Sequence, residues 1–188
     1  FQLDQERAQR LRVWFGKQGE MALVSHLDLL RLFDRAVRRA DLPVAYTNGF
    51  HPGPRISIAN ALTLGATSSG EIIDFELKSR LEIDDFRDRL SAQLPNNIPI
   101  HRIEEIERKT PAASQLLDKA EYSIVVETET TPSETDWQEW INTIQHTPEI
   151  WWEKTTKSGK KQQVNLRDRL FELTFSLLPS SNNNTIQL

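Results

Sequence analysis

The chain has 188 residues, of which 38% are hydrophobic and 27% charged, and its formal net charge is −4. These proportions suit a globular protein of one large domain or two small ones, and the negative charge argues against a general nucleic-acid coat. The absence of cysteine excludes disulfides, thiolate nucleophiles and iron–sulfur ligation within the chain. No apolar run approaches the roughly 18 residues of a membrane span, so we expect no membrane partner. Because the fold is not preceded by the pattern of a signal peptide, we expect a cytoplasmic protein.

The first half predicts the order strand, helix, interrupted strand, strand, helix, strand. Alternating Arg and hydrophobic residues predict a first strand at 10–15. Ser25, with Asp28 three residues later, predicts the start of the first helix, and Leu42-Pro43 predicts its end. The other elements are predicted at 44–59 (interrupted strand), 71–77 (strand), 82–93 (helix) and 98–106 (strand).

The second half begins a similar pattern after a linker at 110–120. A strand at 122–127 is followed by a helix that Ser133 and Asp136 cap, then by a hairpin around 157–160 and a strand at 171–178. The inward residues of this helix are predicted to be Trp137, Trp140, Ile141 and Ile144.

Together these elements predict an α+β protein with two tandem ferredoxin-like (split βαβ) units, at 1–109 and 121–188. Whether the second unit is complete stays open. The chain begins with Phe1 rather than Met, and residues 185–188 have the pattern of a new strand. We therefore expect a fragment of a longer polypeptide, although a processed N-terminus would look the same.

The segment 25–76 carries motifs that stand out. It contains Ser-His-Leu-Asp at 25–28, Arg-Ala-Val-Arg-Arg-Ala-Asp-Leu-Pro-Val-Ala-Tyr at 35–46 and Gly-Phe-His-Pro-Gly-Pro-Arg at 49–55. These motifs resemble the radical-SAM-linked family, with Thr47 where that family often has Ser and Gly53 where a basic or polar residue is common.

The resemblance implies that the chain works beside a radical-SAM enzyme or forms the C-terminal part of one. The iron–sulfur cluster and S-adenosylmethionine would then belong to that radical-SAM domain or protein, and this chain would hold no cofactor. The family's activity is undetermined, so the resemblance supplies a partner without a mechanism.

A set of arginines on the first helix predicts a binding surface. Arg31, Arg35 and Arg38 recur at helical spacing and Arg39 is adjacent, while Arg55 ends the Gly/Pro loop. The planar guanidinium suits phosphate oxygens. The alternative is a solvated helix face with an Asp34–Arg38 pair.

The loop adds aromatic and histidine side chains to this surface. Tyr46 and Phe50 could stack on bases, or could anchor the loop. His26 and His51 could act as general acid and base in RNA cleavage, with Arg55 stabilising charge at phosphorus. A structural hydrogen-bonding role is the alternative for both, and two histidines without a carboxylate partner predict no metal site.

A second basic segment is predicted at 151–170, which has six basic and two acidic residues. Its lysines flank a hairpin tip near Trp151-Trp152, which fits either single-stranded RNA binding or a plain solvated turn.

Three functions are compatible with these patterns. The hypothesis that we favour is a non-catalytic accessory or substrate-binding module, for RNA or an RNA-containing assembly, that serves a radical-SAM domain. The alternatives are a metal-independent endoribonuclease resembling the CRISPR-transcript-processing enzymes, by fold analogy alone, and a domain that braces the catalytic domain.

Overall fold

The computed structural model describes residues 7–128, 130, 132–156, 158–177 and 185–187. The chain divides into two compact units, Phe1–Lys119 and Ala120–Leu188. Within the described residues it is a mixed α/β protein with four α-helices and three antiparallel sheets. None of these helices combines the length and the apolar character needed to cross a bilayer.

The first unit is built on a four-stranded sheet with the order β2-β3-β1-β4, in which all neighbouring strands are antiparallel. One helix connects β1 to β2 and another connects β3 to β4, which agrees with the predicted succession. The bounds are β1 Gln9–Lys17, α1 His26–Arg39, β2 Ile56–Ile58, β3 Ser68–Leu77, α2 Ile83–Ser91 and β4 Ile100–Glu105, with a 3-10 helix Gly19–Leu23 before α1.

The core of this unit lies between the sheet and the two helices. Because strand side chains alternate between faces, Leu11, Val13 and Phe15 of β1 all point to one face and are fully buried. Four phenylalanine rings connect the layers in successive edge-to-face contacts, with centroid separations of 5.0, 6.1 and 5.3 Å. They belong to β1, α1, β3 and α2: Phe15, Phe33, Phe75 and Phe86.

The ends of α1 follow local rules. Ser25 caps the helix as predicted, since its Oγ accepts a hydrogen bond from the backbone N of Asp28 at 3.2 Å. The helix ends earlier than predicted because Asp41 adopts a φ of 49°. The backbone N of Leu42 donates to Val37 O at 3.1 Å, and that of Asp41 donates to Arg38 O at 3.2 Å. These two bonds form a Schellman motif, so the helix is closed before Pro43 is reached.

The interrupted edge strand is confirmed. Val44 pairs with Leu77. The backbone O of Glu76 accepts from Ala45 N at 2.8 Å, and the backbone N of Glu76 donates to Arg55 O at 3.0 Å. The chain therefore leaves the sheet edge after Ala45 and returns at Arg55. Residues 46–54 form a loop that projects from the middle of this edge strand.

The segment 110–120, for which the sequence predicts a linker, begins with residues that pack on the first unit. Arg10 Nη1 donates to the backbone O of Thr110 at 2.5 Å, and Arg12 Nη2 donates to that of Pro111 at 3.0 Å. A short helix α3, Ala113–Leu116, follows, and Ala113 is buried.

The second unit contains one helix, a hairpin and a small sheet. The predicted hairpin is confirmed, and a strand is found at 185–187. The strand predicted at 171–178 is shorter in the described residues, where only 176–177 pair. The bounds are β5 Val125–Glu127, α4 Glu134–His146, β6 Trp151–Thr155, β7 Lys161–Asn165, β8 Ser176–Leu177 and β9 Thr185–Gln187, with the sheet order β5-β9-β8.

Helix α4 begins as predicted, with a capping box between Ser133 and Asp136. Its predicted inward face is wrong in part, because Trp140 and Ile144 are 48% and 36% exposed and only Ile141 is buried. The Trp137 ring lies 6.4 Å from the Phe175 ring, measured between centroids, and the Trp140 ring packs against the Trp137 ring at 5.0 Å. The face is therefore narrower than helical spacing alone indicates.

Candidate nucleic-acid interface

The loop 46–54 is fixed at its base by the backbone. Tyr46 and Pro54 form an isolated bridge, and the backbone N of Thr47 donates to Gly53 O at 2.8 Å. In return, Gly53 N donates to the side-chain Oγ1 of Thr47 at 3.0 Å. The tip contains Gly49 at a φ of 127°, a backbone conformation that favours glycine. Hydrogen bonds therefore close the base of the loop.

Phe50 and His51 lie at the exposed tip of this loop. The exposed fraction of Phe50 is 102%, and His51 is also exposed. Phe50 therefore does not anchor the loop to the core. A fully exposed phenylalanine leaves its ring available to a flat partner such as a nucleic-acid base.

Tyr46 joins the loop to α1. The guanidinium of Arg38 lies 5.3 Å from the centroid of the half-buried Tyr46 ring, a cation–π geometry. Arg38 Nε also donates to Asp34 at 2.7 Å; this hydrogen bond, followed by the proximity of Tyr46, raises the pKa of Arg38. Helix and loop thus form one surface.

The arginines of α1 divide into two kinds. Arg31 pairs with Asp28 at 2.8 Å and Arg38 pairs with Asp34, which is what the solvated-face alternative predicts. Arg35 and Arg39 are exposed, and neither forms an ion pair with a carboxylate in the described part of the chain. Exposed ion pairs are weak, so a phosphate can compete for the paired arginines as well.

Arg55 occupies a different place from the other candidates. Its side chain is 23% exposed and lies 3.8 Å from Glu76, and its Nε donates to the backbone O of Tyr46 at 3.2 Å. Arg55 braces the base of the loop from the sheet side. It does not share the exposed helix face.

The two histidines are not brought together with Arg55 by any contact that the structure describes. His26 begins α1, twelve residues before Arg38, which corresponds to about 18 Å along a helix axis, and His51 lies at the loop tip. Among the described residues, no group of three or more His, Asp or Glu side chains is arranged to hold a metal ion.

A charged cluster on the other face of the sheet was not predicted from the sequence. Asp74 is 4% exposed and accepts hydrogen bonds from Arg12 Nε at 2.8 Å and from Arg10 Nη2 at 2.7 Å. Burial alone would raise the pKa of Asp74, but the bonds from Arg12 and Arg10 outweigh it and lower the pKa. The alternation of Arg and hydrophobic residues in β1 is the signal that places both arginines on this face.

The hairpin of the second unit exposes two tryptophans. Trp151 and Trp152 are 59% and 62% exposed, and Lys154 and Lys160 are exposed as well. Lys161 Nζ pairs with Glu153 at 2.7 Å. Lys157 lies outside the described residues. The hairpin therefore exposes both aromatic rings and lysines, which the single-stranded RNA interpretation requires.

Comparison with known sequences assigns a family without adding an activity. No protein among the curated ones matches the sequence. A family model matches residues 10–187, which include nearly the whole chain and all of the first-unit surface described above. The chain belongs to the family described as an uncharacterized protein conserved in bacteria (DUF2344).

Proposed function

We propose that this chain is a non-catalytic accessory module that binds RNA, or an RNA-containing assembly, for a radical-SAM domain. Binding takes place on a loop–helix surface, which consists of Arg31, Arg35, Arg38 and Arg39 on α1 and Tyr46, Phe50 and His51 on the loop. The observation that carries the proposal is the fully exposed Phe50 ring on a loop that the Arg38–Tyr46 contact joins to the arginine face.

The chemistry of this surface fits a flexible single strand. Stacking of one base on an aromatic ring contributes about 1–3 kcal/mol, and guanidinium groups bind phosphate oxygens without reading sequence. Arg35 and Arg39 form no ion pair with a carboxylate among the described residues. The surface therefore combines a stacking platform with positive charge, which together distinguish single-stranded RNA from a simple anion.

We infer further that the first unit is ferredoxin-like. The element order β1-α1-β2-β3-α2-β4, the sheet order β2-β3-β1-β4 and the antiparallel neighbours support this assignment. For the second unit at 121–188, the order strand, helix, hairpin supports an incomplete copy of the same arrangement.

The radical-SAM partner is inferred from the motifs at 25–28, 35–46 and 49–55. The sequence contains no cysteine, so the thiolate ligands of an iron–sulfur cluster would come from that partner, whether it is fused to this chain or separate in the cytoplasm. On this proposal the chain presents RNA, and the partner carries the chemistry.

The proposal is tested by titrating a fluorescent single-stranded RNA with the protein over a salt series. If the four α1 arginines contact four phosphates, the logarithm of affinity should fall with the logarithm of salt with a slope of about −3. Changing Arg35 and Arg39 together to Gln should weaken binding and reduce the steepness of that slope by about 1.4.

Arg87→Gln on α2 is the control, because Arg87 lies outside the loop–helix surface and its replacement tests the loss of an arginine charge elsewhere on the first unit. This variant should bind as the unchanged protein does. Equal binding by the Arg35/Arg39 variant would contradict the proposal. Cleavage of the RNA in the presence of a chelator would favour the endoribonuclease alternative instead.

A further inference from the structure

The first unit contains a basic pocket away from the exposed helix face. It has a volume of about 400 Å³ and lies where β1 begins, beside the end of β3 and the turn after β4. Four of its six lining side chains are cationic and one is a carboxylate; the lining residues are Arg7, Gln9, Arg10, Glu76, Arg108 and Lys109.

Two arginines of β1 hold the turn that completes this pocket. The backbone N of Thr110 donates to Glu107 O at 3.0 Å, which makes Arg108 and Lys109 the central residues of a turn. Arg10 holds the turn through the backbone O of Thr110, and Arg12 holds the next residue through its carbonyl. The fold therefore places two exposed cations opposite the start of β1.

The positive charge of the pocket is only partly compensated. Arg10 shares the carboxylate of Asp74 with Arg12. Glu76 is likewise shared, since it lies 3.3 Å from Arg7 Nε and 3.8 Å from Arg55 Nη1. Neither Arg108 nor Lys109 forms an ion pair with a carboxylate that the structure describes. The pocket thus keeps a net positive charge.

Two polar atoms in the pocket wall also lack hydrogen-bond partners. Arg10 Nε is buried without one in the described structure, although such groups are normally satisfied. Glu76 Oε2 also accepts no hydrogen bond there, but it lies 3.3 Å from Arg7 Nε in an ion pair. With four cationic side chains against one carboxylate in its lining, the wall favours an acceptor-rich guest over an apolar one.

We propose that this pocket binds the phosphate or diphosphate group of a phosphorylated ligand. Pockets of a few hundred Å³ take small molecules, and the planar guanidinium fork binds phosphate oxygens in a bidentate geometry. Arg108, Lys109 and Arg7 contact the anion, and Arg10 contributes charge and positions the turn. Glu76 opposes binding and limits its strength.

The test measures binding of sodium pyrophosphate by isothermal titration calorimetry at low ionic strength. Sodium chloride is added so that the protein solution and the pyrophosphate solution have the same ionic strength. The unchanged protein should bind pyrophosphate with a dissociation constant below about 1 mM, which corresponds to a binding free energy of about 4 kcal/mol or more. The Arg108→Gln/Lys109→Gln variant, altered only at exposed turn residues, should bind at least about tenfold more weakly, the equivalent of 1.4 kcal/mol.

Glu76→Gln should change the affinity for pyrophosphate in the opposite direction. Because it removes the one carboxylate of the lining without changing its shape, it should strengthen pyrophosphate binding several-fold. Arg80→Gln, at an exposed pair with Glu105, is the control and should leave binding unchanged. Absence of binding at millimolar pyrophosphate, or equal binding by the turn variant, would overturn the proposal.

Two sources of the phosphate are separated by competition. If the natural guest is the end of an RNA strand, pyrophosphate should displace a 5′-phosphorylated oligonucleotide more readily than a 5′-hydroxyl one. If it is a free phosphorylated molecule, both oligonucleotides should be displaced equally little. Pyrophosphate binding should survive in Phe50→Ser, so failure of the pocket and failure of the loop–helix surface are distinguishable.

Discussion

Asp74→Asn should lower the free energy of unfolding by about 3–5 kcal/mol, because it removes the one carboxylate that two buried guanidinium groups share. The Arg10 and Arg12 side chains are 12% and 8% exposed, so water cannot replace Asp74 fully. Urea denaturation followed by far-ultraviolet circular dichroism measures the change.

Asp84→Asn is the control for this substitution, since the side chain of Asp84 is 87% exposed in its pair with Arg87. It should leave the midpoint of urea denaturation nearly unchanged. An equal and small effect of both substitutions would contradict the view that the Arg10–Asp74–Arg12 cluster stabilises the sheet.

The same cluster predicts an acid dependence. The folded state lowers the pKa of Asp74, so its contribution to stability is complete above the unfolded value of about 3.9. That contribution is lost as the pH falls through the lower folded value. In the unchanged protein, the urea concentration at the midpoint of denaturation should decrease once the pH is lowered below about 4. In Asp74→Asn this decrease should be less steep.

Phe50→Ser should weaken binding of single-stranded RNA by about 5- to 150-fold, the equivalent of one stacked base at about 1–3 kcal/mol. Because Phe50 is fully exposed, the change should leave stability nearly unaffected. Fluorescence anisotropy at fixed salt measures the affinity, and the salt slope should stay constant because no charge is removed.

Leu64→Ser provides the control for Phe50→Ser. Leu64 is also an exposed hydrophobic residue of the first unit, at 62%, and it lies outside the loop–helix surface. Its replacement should leave RNA binding unchanged. An equal loss in both variants would show that general surface hydrophobicity, and not stacking at the loop tip, drives association.

The elements of the first unit were accessible from sequence because each one has a strong local signal. Helix α1 carries both an N-cap and a wide apolar face, and β1 begins with alternating Arg and hydrophobic residues. The Arg10–Asp74 contact joins residues 64 apart in sequence. Its existence depends on the pairing of β1 with β3, which no local pattern of 10–13 or 72–75 specifies.

The candidate surface was predictable in composition and not in arrangement. Glycine and proline at 49–54 predict a loop, but whether its aromatic residue faces the core depends on how the edge strand resumes. The position of the Arg55 side chain was likewise not predictable from the sequence. It lies near Glu76 because the chain rejoins the sheet at this residue. The elements of the second unit were harder to predict because its paired segments β5, β8 and β9 have only two or three residues.

Ultraviolet cross-linking of single-stranded RNA to the protein, followed by trypsin digestion and mass spectrometry, tests the RNA proposal most directly. Trypsin releases residues 40–55 as one peptide, which contains the whole loop. The proposal predicts that this peptide carries a cross-linked nucleotide and that Phe50→Ser removes it. Cross-links confined to other peptides, or none at low salt, would contradict RNA binding by the loop–helix surface.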